Sequence, residues 1–157
     1  MEIRNFKKIL VANRGEIAIR VFRACKELGI RSLAIYSEQD KTSLFRTKAD
    51  ESYQIGKNKT PVEAYLAIDE IIKLAKKKNV DAIHPGYGFL SENAQFAKKC
   101  EENGIAFIGP TSKIISSVGD KISSKIVAQA ANVPTIPGVE QAIKSDSEAV
   151  EFANSCG

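Results

Sequence analysis

Along the first 110 residues, short apolar runs alternate with amphipathic stretches, and nothing else in the chain restricts its fold so tightly. Ile9-Leu10-Val11-Ala12 reads as a buried strand closed by the tight turn Asn13-Arg14-Gly15. Ile17, Ala18, Val21, Phe22, Cys25 and Leu28 then recur at helical spacing, with Gly29 as the stop. Ser32 to Tyr36 and Ser52 to Ile55 are further strand candidates. Pro61 opens a predicted helix whose Tyr65, Ile68, Ile72 and Ala75 share one face. A strand at Val80 to Ile83, a helix around Phe96, Ala97 and Cys100, and a strand at Ile105 to Ile108 complete the series. Strands separated by helices need crossover connections. The expected fold is therefore α/β: a Rossmann-like parallel sheet of at most five strands with helices on both faces.

From Thr111 the pattern changes. Helices surround Gly119-Asp120-Lys121, a connector carries Pro134, Pro137 and Gly138, and a last helix starts near Asp146 with Gly157 as its cap. The expected division is an α/β domain over 1–118 and the beginning of a second domain over 119–157. A second domain of about forty residues without a strand cannot close a core, so the sequence reads as the front of a longer, truncated chain.

Composition removes several classes of function. With 43% hydrophobic and 27% charged residues the chain is too apolar to be disordered. Its net charge of +4 is interspersed, and the one dense basic run, Lys76-Lys77-Lys78, suits the end of a helix. A nucleic-acid partner would want a larger basic patch with interleaved aromatics. Cys25, Cys100 and Cys156 are scattered and odd in number, so they read as small core residues in a reducing compartment. No apolar run approaches the ~18 residues of a membrane span, and the start is not a signal peptide. The expectation is a cytoplasmic protein with no membrane partner.

In open α/β sheets ligands bind outside the carboxyl ends of the strands, and three such segments stand out. Asn13-Arg14-Gly15-Glu16 lacks the G-x-G-x-x-G of a dinucleotide site and reads first as a strand-to-helix turn. The run His84-Pro85-Gly86-Tyr87-Gly88-Phe89-Leu90-Ser91-Glu92-Asn93 sets two glycines around an aromatic, which lets backbone approach a ligand. Packing does not call for that composition, so a site is expected there; Ser91 would cap the next helix, with Glu92 in its first turn. His84 has no metal-ligating company. In Gly119-Asp120-Lys121, Asp120 caps a helix and Lys121 lies in its first turn, against the dipole. Lys121 reads equally as a phosphate contact beside free helix amides and as a solvated lysine.

Together these segments, with Phe107-Ile108-Gly109-Pro110, resemble the signature of biotin carboxylases in order and spacing, over essentially the whole chain. Tyr36-Ser37-Glu38-Gln39-Asp40-Lys41, Lys48-Ala49-Asp50-Glu51-Ser52-Tyr53 and Glu63-Ala64-Tyr65-Leu66 are most similar to the branch that serves pyruvate carboxylation. The branches serving acetyl-CoA and propionyl-CoA are alternatives, as is a free-standing Rossmann-like nucleotide-binding module. The resemblance implies a ligase half-reaction: ATP phosphorylates bicarbonate, and the carbon dioxide released carboxylates biotin on a carrier domain. It implies ATP, Mg2+ and biotin as cofactors, a carrier partner, a homodimer, and an ATP-grasp unit beginning at 119. By match, Lys121 is the ATP-binding lysine, and Gly86, Tyr87, Gly88 and Glu92 belong to the loop bordering the biotin pocket. Arg20, Arg23 and Glu27 fall on the dimer-interface helix, where a solvated face with Arg23 and Glu27 paired is the alternative. The groups the family uses for chemistry have no match in these residues, so the resemblance implies no catalytic residue and no metal ligand here.

Overall fold

Five strands form one parallel sheet in the order β3-β2-β1-β4-β5: β1 (Lys8–Val11), β2 (Arg31–Tyr36), β3 (Glu51–Gln54), β4 (Ala82–His84) and β5 (Ala106–Phe107). This computed structural model describes residues 4–136 and 143–156; the Pro137-Gly138 part of the connector and the cap at Gly157 lie outside the described residues. The chain divides into two compact units, Met1–Ser112 and Lys113–Gly157.

In the first unit the period-two geometry of a strand sorts side chains between two faces. Leu10, Leu33, Ile35 and Ile83 pack with α3 (Ile68–Lys77) and α4 (Ala94–Glu102) through Ile71, Ala75, Phe96 and Cys100. Val11 and Ala34 face the other way, onto Ala18 and Phe22 of α1 (Gly15–Glu27), while Ile9 and Ala82 meet its Cys25. Both faces are covered, as the near-continuous apolar runs require.

The ends of α1, α3 and α4 repeat one device. Gly29, Asn79 and Gly104 take positive φ (70°, 51° and 70°), and the following N–H of Ile30, Val80 and Ile105 returns to the carbonyl of Cys25, Ala75 and Cys100. Val80 and Ile105 thus finish helices. The strands begin later than the apolar pattern predicts, at Ala82 and Ala106.

The helix expected from Pro61 to Ala75 is two helices, α2 (Pro61–Tyr65) and α3, broken at Leu66-Ala67. Thr60 and Glu63 form a capping box at the start of α2. Over so short a helix, Ala64 is set against Gly56 and Tyr65 against Asp40, whereas α3 lies along the sheet. One straight cylinder cannot serve both surfaces.

In the second unit, α5 (Ser112–Gly119), α6 (Lys121–Ala130) and α7 (Asp146–Cys156) follow one another. Asp120 caps α6, its Oδ1 accepting the Ser123 N–H at 2.7 Å. Among the described residues no helix is long and apolar enough to cross a membrane.

Candidate functional site

The carboxyl ends of β1, β2 and β4 lie side by side and carry the two segments singled out in the first unit. Past β1, Asn13 is 3% exposed. Its Nδ2 donates to the carbonyls of Pro85 at 2.7 Å and Tyr87 at 2.9 Å, and its Oδ1 accepts the Arg14 N–H. The turn after β1 is thereby tied to the loop after β4.

Arg14 reaches sideways, toward the end of β2. Its Nε and Nη2 donate to both carboxylate oxygens of Asp40 at 2.8 and 2.5 Å. The Asp40 side chain is 4% exposed, against 48% for that of Arg14. Tyr65 of α2 donates to the same carboxylate at 2.7 Å, and the Ser43 hydroxyl donates at 3.0 Å. The Arg14 hydrogen bonds, with Tyr65 and Ser43 adding to them against the penalty of burial, hold the Asp40 carboxyl at about 2. Burial, then the Asp40 carboxylate, push the Tyr65 phenol above its ordinary value, so it stays a donor at neutral pH. The charge on Arg14 is consequently matched before any ligand arrives.

The loop itself runs through three left-handed residues, Gly86, Gly88 and Phe89 (φ 68°, 65° and 44°). A Cβ on Gly86 would stand 2.6 Å from Asn13 Nδ2, so only glycine fits between the two carbonyls that Asn13 holds. The Phe89 ring packs on Tyr65 at 5.2 Å between centroids. Tyr87 is 64% exposed, and its hydroxyl lies 3.4 Å from Glu16 Oε2. His84 serves structure: its Nδ1 accepts the Gly86 N–H at 3.0 Å, and burial depresses its basicity.

The structure brings together Gly86, Tyr87 and Gly88 of the loop, and links them through Glu16 to Arg20, which pairs with that carboxylate at 3.3 Å. Arg23 and Glu27 lie further along α1, exposed; no ion pair joins them among the described residues. Glu92 is exposed beyond the loop. The capping of α4 differs from expectation: Asn93, not Ser91, accepts the Phe96 N–H, at 2.8 Å. Turns at Gly88–Ser91 and Leu90–Asn93 occupy Ser91 and delay the helix to Ala94.

Lys121 is in the second unit, exposed at the start of α6. Asp120 already occupies an amide there, so an anion at this end would rely on the lysine ammonium more than on free helix N–H groups. Among the described residues no three His, Cys, Asp or Glu side chains gather to hold a metal ion.

Asp40 and Tyr65 were not distinguishable as site residues by their own chemistry, since their partners lie 25 or 26 positions away, whereas Phe89 falls within the loop already expected to form a site. The detectable signal was Asn13, a carboxamide following an otherwise apolar strand.

Residues 5–115 match the family described as biotin carboxylase, N-terminal domain. Human mitochondrial pyruvate carboxylase is 57% identical over all 157 residues, and a pyruvate carboxylase polypeptide of Methanothermobacter thermautotrophicus is 55% identical over 152. The chain spans 13% of the human protein's length and 31% of the archaeal one's. Among solved structures, the biotin carboxylase domain dimer of Hydrogenobacter thermophilus 2-oxoglutarate carboxylase, in complex with MgADP, ADP and bicarbonate, matches with a TM-score of 0.94 and 52% identity. That match covers 99% of this chain and 34% of the other. The biotin carboxylase subunit of a pyruvate carboxylase matches at 0.82 and 53%, covering 98% of this chain and 34% of that one.

Proposed function

The chain belongs to the biotin carboxylase N-terminal domain family, and from that premise we propose that it is the opening part of an ATP-dependent ligase that carboxylates biotin with bicarbonate. The observation that carries this reading is identity of 51–57% to pyruvate carboxylases along nearly the whole chain. Pyruvate is accordingly the acceptor we favour. 2-Oxoglutarate is the alternative that the likeness to the Hydrogenobacter thermophilus domain supports.

In this reading 1–118 form the N-terminal α/β domain and 119–157 begin the ATP-grasp domain. Bicarbonate is phosphorylated by ATP, and the resulting carboxyphosphate supplies carbon dioxide to the ureido nitrogen of biotin on a carrier domain. The chain's own contribution is positional. Lys121 contacts the nucleotide, Gly86, Tyr87, Gly88 and Glu92 border the biotin pocket, and Arg20, Arg23 and Glu27 lie on a homodimer interface. Among the described residues no three His, Cys, Asp or Glu side chains gather as a donor set for magnesium. By the same resemblance, the 157 residues alone are inactive; the location expected from the sequence is the cytoplasm. The human relative is mitochondrial, so cell fractionation tests that location.

In the complete carboxylase Lys121→Ala should raise the apparent constant for ATP about ten- to a hundred-fold. A charge-assisted phosphate contact is worth roughly 1.5–3 kcal/mol, and each 1.4 kcal/mol is about tenfold. Lys121 is exposed, so the unfolding midpoint should not move. Steady-state kinetics with varied ATP checks this, and an unchanged constant would make Lys121 a surface lysine.

A further inference from the structure

We propose that Asn13 is a positioning residue for the Gly86–Phe89 loop, holding the backbone on either side of Gly86 so that Tyr87 is presented at the carboxyl end of the sheet. Asn13 is 3% exposed, and every hydrogen-bonding atom of its carboxamide is engaged. Both Nδ2 hydrogens go to the loop, to the carbonyls of Pro85 and Tyr87, and Oδ1 takes the N–H of Arg14. Few side chains offer two donors and an acceptor at this size. Aspartate would turn both donors into acceptors facing carbonyls. Glutamine is a methylene longer, and Gly86 leaves no room: even a Cβ there falls 2.6 Å from Nδ2.

The loop needs such a hold. Three of its four residues are left-handed, and one of them is an aromatic, for which that conformation is disfavoured. Asn13 fixes the Pro85–Tyr87 end, and the stack of Phe89 on Tyr65 fixes the other. Between these anchors Tyr87 stands exposed, its hydroxyl donating to Glu16 Oε2 at 3.4 Å. Where Tyr87 sits is thus set from beneath, by the backbone that Asn13 grips. This inference rests on the reading that the loop borders the biotin pocket.

Two measurements test it. In the complete protein, with any tryptophan beyond these 157 residues replaced by phenylalanine, Tyr87→Trp places a single fluorescent reporter on the loop, since the 157 residues contain none. Its residual anisotropy should fall when Asn13→Ala is added, while far-UV circular dichroism stays unchanged. Asn13→Ser, which keeps a small hydroxyl, should fall less, and it substitutes for the alanine variant should that fail to fold. In the complete carboxylase with Tyr87 intact, Asn13→Ala should raise the KM for free biotin about tenfold, the scale of one lost hydrogen-bonded anchor, and leave the KM for ATP alone. A purely structural role would reduce active enzyme without separating the two constants. Unchanged anisotropy overturns the proposal, as does a biotin KM that stays put or moves together with that for ATP. Should the unsubstituted protein not carboxylate biotin, the functional reading fails, and the anisotropy result still decides whether Asn13 holds the loop.

Discussion

Arg14→Ala is expected to destabilise the protein by about 3 kcal/mol at neutral pH, at the lower end of the range for breaking a buried ion pair. The substitution removes two short hydrogen bonds from a carboxylate that is 4% exposed. Tyr65 and Ser43 remain to partner it, and the arginine itself is half exposed, which keeps the loss from being larger. The effect should depend on acid in a defined direction. Asp40 sits at about 2 in the folded protein, below the roughly 3.9 of an unfolded aspartate. Its contribution is therefore complete above about pH 4 and is lost as pH falls through the folded value, an amount of order 2–3 kcal/mol. Urea unfolding of both proteins across the acid range should show the gap closing between about pH 4 and pH 2. A gap below about 1 kcal/mol, or one that does not narrow in acid, would mean that Arg14 and Asp40 are not paired as described.

Gly56→Ala should be comparably severe, for a different reason. At φ 62° an alanine is strained before any neighbour is considered, and its Cβ would lie 2.3 Å from Ala64 Cβ and 2.5 Å from Ala64 Cα. Ala64 is fully buried in α2, and the Glu70 carboxylate accepts the Gly56 N–H at 3.1 Å, so neither side can retreat easily. Conformational strain near 1 kcal/mol and overpacking of 1–3 kcal/mol give a loss of about 3 kcal/mol. Gly104→Ala is the control: at φ 70° with open space around the added methyl, it should lose only about 1 kcal/mol. Equal losses in thermal or urea unfolding would show that the contact between Gly56 and α2 is not tight.

These sites mark where sequence reasoning reaches and where it stops. The sheet was legible because its strands are continuous apolar runs separated by helical periodicity, and both are local properties. Helix ends were only partly so. Gly29 announces itself as a stop, but Asn79 does the same work at the end of α3, and the apolar Val80 after it looks like strand while its N–H closes the helix. The break between α2 and α3 was invisible, since Tyr65, Ile72 and Ala75 do fit one helical face. What divides them is Tyr65 reaching Asp40, 25 positions away, and Ala64 meeting Gly56, eight positions back across a turn, neither of which helical periodicity reveals. At the site, the glycines and aromatics of the loop were conspicuous by composition. Arg14 was not, because a half-exposed arginine and a buried one are written with the same letter, and only the fold supplies Asp40.

Transfer of isotope-labelled bicarbonate decides whether this chain opens a biotin carboxylase. The complete protein carrying these residues, incubated with ATP, magnesium and free biotin, should move label into biotin, with release of phosphate that depends on bicarbonate. Labelled biotin that forms without ATP, or ATP hydrolysis indifferent to bicarbonate with no label in biotin, would contradict the account.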